Sequence, residues 1–163
     1  MAAARRGERG QVAVYAVLLF PLLLLVLALV LAVGSIEMLR SRLHAQVDMA
    51  ALTATQAIDL ERLAAGGAPA LVPALAEALA REYLARNVAV LGDQLLAGPG
   101  AIAGSADVAV LNRPGIDPIT GIANTAPTVS IRIRVPVEVP ILALAGLHTR
   151  VDLEVTGSAA ARS

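Results

Sequence analysis

The chain has 163 residues, of which 57% are hydrophobic and only 16% charged, too apolar for an ordinary soluble domain and long enough for one modest domain plus an anchor. Its thirteen basic residues, all arginine, balance thirteen acids, and this zero net charge without a basic stripe argues against a nucleic-acid partner. The absence of cysteine excludes disulfides, thiolate nucleophiles and Cys-based metal sites, and with Tyr15, Phe20 and Tyr83 the only aromatics, Leu, Val and Ala must build the core.

From Gln11 to Ile36 no residue is charged, and VAVYAVLLFPLLLLVLALVLAV has no polar face to turn toward water. A helix from Val12 to Val33 would be ~33 Å long, which matches a hydrocarbon core of ~30 Å. The segment therefore predicts one membrane crossing, with lipid as its partner. Arg5, Arg6 and Arg9 favour a cytoplasmic N-terminus and an extracytoplasmic remainder, although Arg40 and Arg42 flank the other end and reduce the contrast. A cleavable signal ending at Ala32-Val33-Gly34 is disfavoured because signal apolar regions run to only about 15 residues. Pro21, in the first turns, removes a backbone donor and is either a kink or a tolerated membrane proline.

The polar continuation contains no Pro or Gly until Gly66, and Leu39, Leu43, Val47, Ala50, Ala54 and Ile58 recur every three or four residues. This spacing predicts that the membrane helix runs on to about Leu63, a rod of ~78 Å, half in lipid and half out. Alanines 45, 50, 51, 54 and 57 line the aqueous half, where small side chains permit close approach. A second helix, ALAEALAREYLARNVAVLGDQLL, follows Pro73, with Leu75, Leu79, Tyr83, Val90 and Leu91 spaced for one buried face. GPGAIAG at 98–104 reads as a linker.

Beyond it the period drops to two. ADVAVL alternates, as does TVSIRIRVPVEV, with Val129, Ile131, Ile133, Val135, Val137 and Val139 on one face and Ser130, Arg132, Arg134 and Glu138 on the other. Pro136 removes a ladder donor and predicts an edge or a bulge there. HTRVDLEV predicts a last strand with Val151, Leu153 and Val155 inward. Residues 112–127, rich in turn formers, predict a long surface loop, and SAAARS a frayed tail. The expected architecture is α+β: a basic leader at 1–11, a transmembrane helix at 12–36, its continuation at 37–65, a small head of one further helix and about three antiparallel strands at 66–157, and a tail at 158–163.

No catalytic constellation emerges. His44 and His148 lack partners at metal-ligand spacing, the serines and threonines fit no nucleophile pattern, and GPGAIAG lacks both Walker spacing and a following basic residue. Neither cofactor nor small-molecule substrate is expected. Asp48, a lone carboxylate in the apolar run VDMAAL, is either a solvated face position or an assembly contact.

The N-terminal third resembles the TadE/TadG-like proteins of tight-adherence, Flp-type pilus assembly. The resemblance rests on Arg9-Gly10 leading into VAV and a proline-bearing LLLL run at Pro21, a polar exit with Glu37 and Arg40, and QVDMAALTATQA at 46–57, with Asp48 in the place of that family's Asp. It implies a minor-pilin-like or pseudopilin-like component whose membrane helix contacts other subunits of the apparatus. TadE-like relatives are cut by a prepilin peptidase after a glycine with Glu five residues on; Gly10 and Gln11 would flank that cut here. Tyr15 stands where the Glu belongs and no acid precedes Glu37, which favours a permanently anchored, TadG-like accessory protein in a bacterial inner membrane. Tyr15, Pro21 and Asp48 are the expected assembly contacts. A membrane-tethered binding module unrelated to pili is the alternative.

Overall fold

In a computed structural model, which describes residues 5–138 and 150–161, the chain opens with a single helix, α1, Arg5–Ala54. At 1.5 Å per residue its 50 residues extend about 75 Å. Leu and Ala dominate it, so propensity favours helix throughout, and Pro21 lies within it without ending it.

The rod stops nine residues short of Leu63. At Ile58 the backbone instead forms an antiparallel bridge with Leu71, in which Asp59 N–H donates to Ala70 O at 2.9 Å and Val72 N–H to Ala57 O at 2.8 Å. Asp59 then caps a short helix, α2, Leu60–Ala64, by accepting from Arg62 N–H at 3.0 Å. Gly66, at φ +77°, closes α2 with Gly67 N–H donating to Arg62 O at 3.0 Å, a geometry that disfavours any residue with a Cβ. Asn112 is decisive for the break, since its side-chain amide accepts from Leu71 N–H at 2.7 Å and donates to Leu71 O at 2.9 Å. That contact spans 41 residues and leaves no local trace.

Helix α3, Pro73–Ala89, starts on its proline as expected but buries a different face. Ala76, Ala80, Leu84 and Val88 are inside; of the residues expected there, Leu75 and Val90 are exposed, Leu79 and Tyr83 only half-buried, and Leu91, just past the helix, is buried. The alanine row wins because α3 lies against the alanines of α1, and small side chains on both helices let the backbones close up. Of the alanines expected to line the rod, 50, 51 and 54 are buried in α1 and 57 is buried just beyond its end, whereas Ala45 faces out. GPGAIAG is not a linker: Pro99–Gly104 forms α4, which buries Ile102 and Ala103. Arg81 of α3 donates to the carbonyls of Ala103 and Gly104 at 3.0 and 2.8 Å and so satisfies the end of α4.

The sheet has the order β1-β4-β5, all antiparallel, from β1 Asp107–Leu111, β4 Thr128–Glu138 and β5 Arg150–Ala160. The inward valines and isoleucines of β4 from Val129 to Val137 are buried as the alternation required; Val139 lies outside the described residues. Pro136 falls where β1 no longer reaches, since β1 pairs only with residues 128–132 of β4. Its carbonyl accepts instead from Leu96 N–H at 3.0 Å beside an isolated bridge of Leu95 with Val137, so the missing donor falls on a side of β4 that no continuous strand covers there. Ser158 to Ala160, expected to fray, pair with Ser130 to Thr128 as the end of β5. The core lies between this sheet and the pair α1/α3, and it draws Leu39 to Ala54 of α1 into the head.

Candidate functional site

Two regions carry what this molecule can do: the uncovered length of α1 and the loop of the head at 112–127. Along α1 the burial changes abruptly. Val14 to Val33 offer large apolar side chains that are 47–71% exposed, while Leu39, Leu43, Val47, Ala50 and Ala54 are buried beneath α3 and the sheet. Within the first stretch only the small Ala32 is buried, and the large apolar side chains stay uncovered. An uncharged helix with apolar side chains on every side is stable only where its surroundings are apolar too, and its length fits one bilayer crossing.

The expected site residues are strung along this helix rather than gathered. Gly10 and Gln11 lie within its first turns. Tyr15 is 55% exposed on the apolar stretch. Pro21 deprives the Val17 carbonyl of its intrahelical donor, and a shallow apolar groove lined by Ala16, Leu19, Phe20, Leu22, Leu23 and Val26 runs beside it. Asp48 is exposed and lies where α1 crosses β5. Gly157 of β5 passes so close beneath it that a Cβ there would stand 2.4 Å from Asp48 Oδ1 and 2.9 Å from Val47 Cγ1. The Asp48 carboxylate is thus turned toward the strand.

The loop at 112–127 is more ordered than its turn-rich composition suggests. Within residues 112–127, β2 Gly115–Ile116 and β3 Ala123–Asn124 form a minute hairpin, and Asp117 at its tip is fully buried. Its carboxylate accepts from Ile119 N–H at 2.8 Å, from Thr120 N–H at 3.3 Å and from the Ser130 hydroxyl. Burial pushes the Asp117 pKa up; the Ser130 hydroxyl and the Ile119 and Thr120 donors pull it down by more, leaving it below the ordinary carboxylate value. Arg132 ties the hairpin to the sheet by donating to Ile119 O at 3.0 Å, and its Nε lies 3.8 Å from Glu154 Oε1. Ser130, assigned by alternation to the wet face, is therefore fully buried. A groove of about 410 Å³ beside the hairpin is lined by Ile58, Leu63, Pro69, Pro114 and Pro127 among others. His44 is half-buried and His148 lies outside the described residues, among which no three His, Asp or Glu side chains come together as a metal site would require.

Asp117, Asn112 and Gly157 were not singled out by the sequence. Asp117 had a signal, because Asp-Pro-x-Thr-Gly is the composition of a turn closed by its own carboxylate. For Asn112 and Gly157 there was none.

This geometry of an exposed apolar helix running directly into a small-residue half buried in a head has a counterpart among known families. Residues 10–57 match the family model described as "Putative Flp pilus-assembly TadE/G-like". The Tad-like segment covers α1 from Gly10 onward and stops at Ala57, where the chain turns into the Ile58–Leu71 bridge. It takes in the uncovered stretch, the buried stripe and Asp48, and it leaves α3 and the whole sheet outside. No curated protein and no solved structure matches the chain.

Proposed function

We propose that this protein is a non-enzymatic, permanently anchored component of Flp-type pilus assembly in a bacterial inner membrane, with its N-terminus in the cytoplasm and its head outside. The observation that carries the reading is the coincidence of the Tad-like match with α1, the element that is both uncovered and continuous with the head. Arg5, Arg6 and Arg9 supply the inside-positive end. A helix that enters the core of the head transmits the position of the anchor rigidly, as an assembly component needs and a flexible tether does not. Tyr15 at the position of the prepilin Glu supports retention of the leader.

The test is threefold. Tagged full-length protein should stay with membranes after a high-pH wash, and protease added outside should digest the head while sparing the leader. Mature protein should begin at Met1 or Ala2. Deletion in a piliated host should abolish surface pili, with rescue by the intact gene. Recovery as a soluble full-length protein, or normal piliation in the deletion strain, would overturn the proposal; a start at Gln11 would indicate a processed pseudopilin instead. The groove walled by Pro69, Pro114 and Pro127 favours one competing reading, a tethered binding module. Exchanging Val14 to Val33 for an unrelated membrane helix separates the two, since a binding module keeps its activity and an assembly component loses it.

A further inference from the structure

The head covers α1 on one side only. Opposite the buried row of Leu39, Leu43 and Val47, the residues Met38, Met49 and Leu52 are 60%, 56% and 51% exposed, and Ala45 lies out among them. Leu24, Leu31, Met38, Ala45 and Leu52 recur every seven residues, so this row leaves the membrane segment and continues without interruption along the aqueous half. Lipid accounts for Leu24 and Leu31. It does not account for the three beyond them, where a helix docked on a single head would present polar side chains.

We propose that this row is a parallel helix seam that receives α1 of a second copy of the same chain. The inference rests on the membrane-anchor reading above. An occupant that covers the row on both sides of the membrane surface must itself be an apolar helix that leaves the bilayer at the same level, and α1 has that character. Two copies anchored in one bilayer enter it in the same direction, so their helices are parallel.

The charges bordering the row fit that arrangement. With Met38, Ala45 and Leu52 at a positions, Glu37 occupies a g and Arg42 an e position. A parallel pair brings g of one helix beside e of the other, which sets Glu37 of one copy against Arg42 of its mate, twice by symmetry. Both side chains are exposed, and neither has an ion-pair partner among the described residues. At the facing d positions stand Gly34, Ser41 and Asp48. The first two are small enough for close approach, and Asp48 turns its carboxylate aside to β5 at Gly157, away from the symmetry axis.

The absence of native cysteine makes the test direct. Single substitutions Met38→Cys, Ala45→Cys and Leu52→Cys are introduced into the full chain, with Arg40→Cys on another side of α1 and Val90→Cys on the head as controls, all at exposed positions. Mild oxidation of native membranes containing two differently tagged forms should give mixed-tag dimers at 38, 45 and 52 and monomer at 40 and 90. On the Ala45→Cys background, Glu37→Arg should abolish the dimer and added Arg42→Glu should restore it. Monomer throughout, equal dimer at the control positions, or a cross-link solely to a different protein would overturn the seam. Failure of the anchor reading shows itself separately, as loss of the chain from the membrane fraction before any oxidation.

Discussion

Asp117 shows how one carboxylate can fasten a loop that composition alone describes as slack. Its carboxylate is fully buried yet pulled below the ordinary pKa by the Ser130 hydroxyl and two backbone donors, which outweigh the opposing effect of burial. With the folded value below the unfolded one of about 3.9, the unfolded chain binds more protons between the two. The stabilisation is therefore complete above the unfolded value and is lost as pH falls through the folded one. Asp117→Asn should lower stability at neutral pH by about 1–3 kcal/mol and flatten the acid side of the stability curve below about pH 4. Thermal unfolding of the detergent-solubilised protein across that range checks both, and a variant curve parallel to the wild type would refute the assignment. Gly157 acts by absence. In Gly157→Ala the new methyl meets Asp48 Oδ1, which can swing away, and Val47 Cγ1, which cannot because Val47 is fully buried and stiff at χ1. The cost should be about 1–3 kcal/mol. In double-mutant cycles Val47→Ala should couple strongly to Gly157→Ala and Asp48→Ala only weakly.

At the scale of elements, the rotation of α3 is the instructive departure. Counting large apolar residues selects Leu75, Leu79, Tyr83, Val90 and Leu91, of which only Leu91, just past the end of α3, is buried; the helix itself buries Ala76, Ala80, Leu84 and Val88, because its neighbour is another alanine-lined helix. Leu84→Ala should therefore cost about 2–5 kcal/mol and Leu75→Ala, at 48% exposure, less than about 1 kcal/mol. Equal costs in chemical denaturation would return the buried face to the larger residues. The end of α1 teaches the same lesson from the other side. Nothing near Thr55 is a helix breaker, and the rod stops there because Asn112, far along the chain, holds Leu71 in place to bridge Ile58.

For the whole molecule, the dominant fact is an unbroken helix whose two halves differ in exposure, the first long and apolar enough to cross a bilayer. Its first half exposes its large apolar side chains, and its second half is a wall of the head's core. A single arginine at the middle of the span, Leu24→Arg, should oppose insertion by about 2.5–3.5 kcal/mol and shift protein from the membrane pellet to aggregates or degradation, read by fractionation. An arginine at exposed Val90 of the head, Val90→Arg, should leave the distribution unchanged.

The sequence alone determined what solvation and periodicity dictate. Its charge-free run fixed the uncovered half of α1, and the three-to-four spacing of Leu39, Leu43 and Val47 marked the buried stripe. Alternation in β4 and β5 set which valines face inward, and the Tad-like character of residues 10–57 was legible in the same stretch. Each of these is a local pattern read along neighbouring residues. Only the tertiary structure decided where α1 ends, which face α3 buries, why Ser130 is dry, and why Ser158 to Ala160 remain in the sheet. Those outcomes depend on Asn112 meeting Leu71, the alanines of α3 meeting those of α1, Asp117 meeting Ser130, and the end of β5 pairing with β4; chain order places none of these beside each other, and no local periodicity encodes such a meeting.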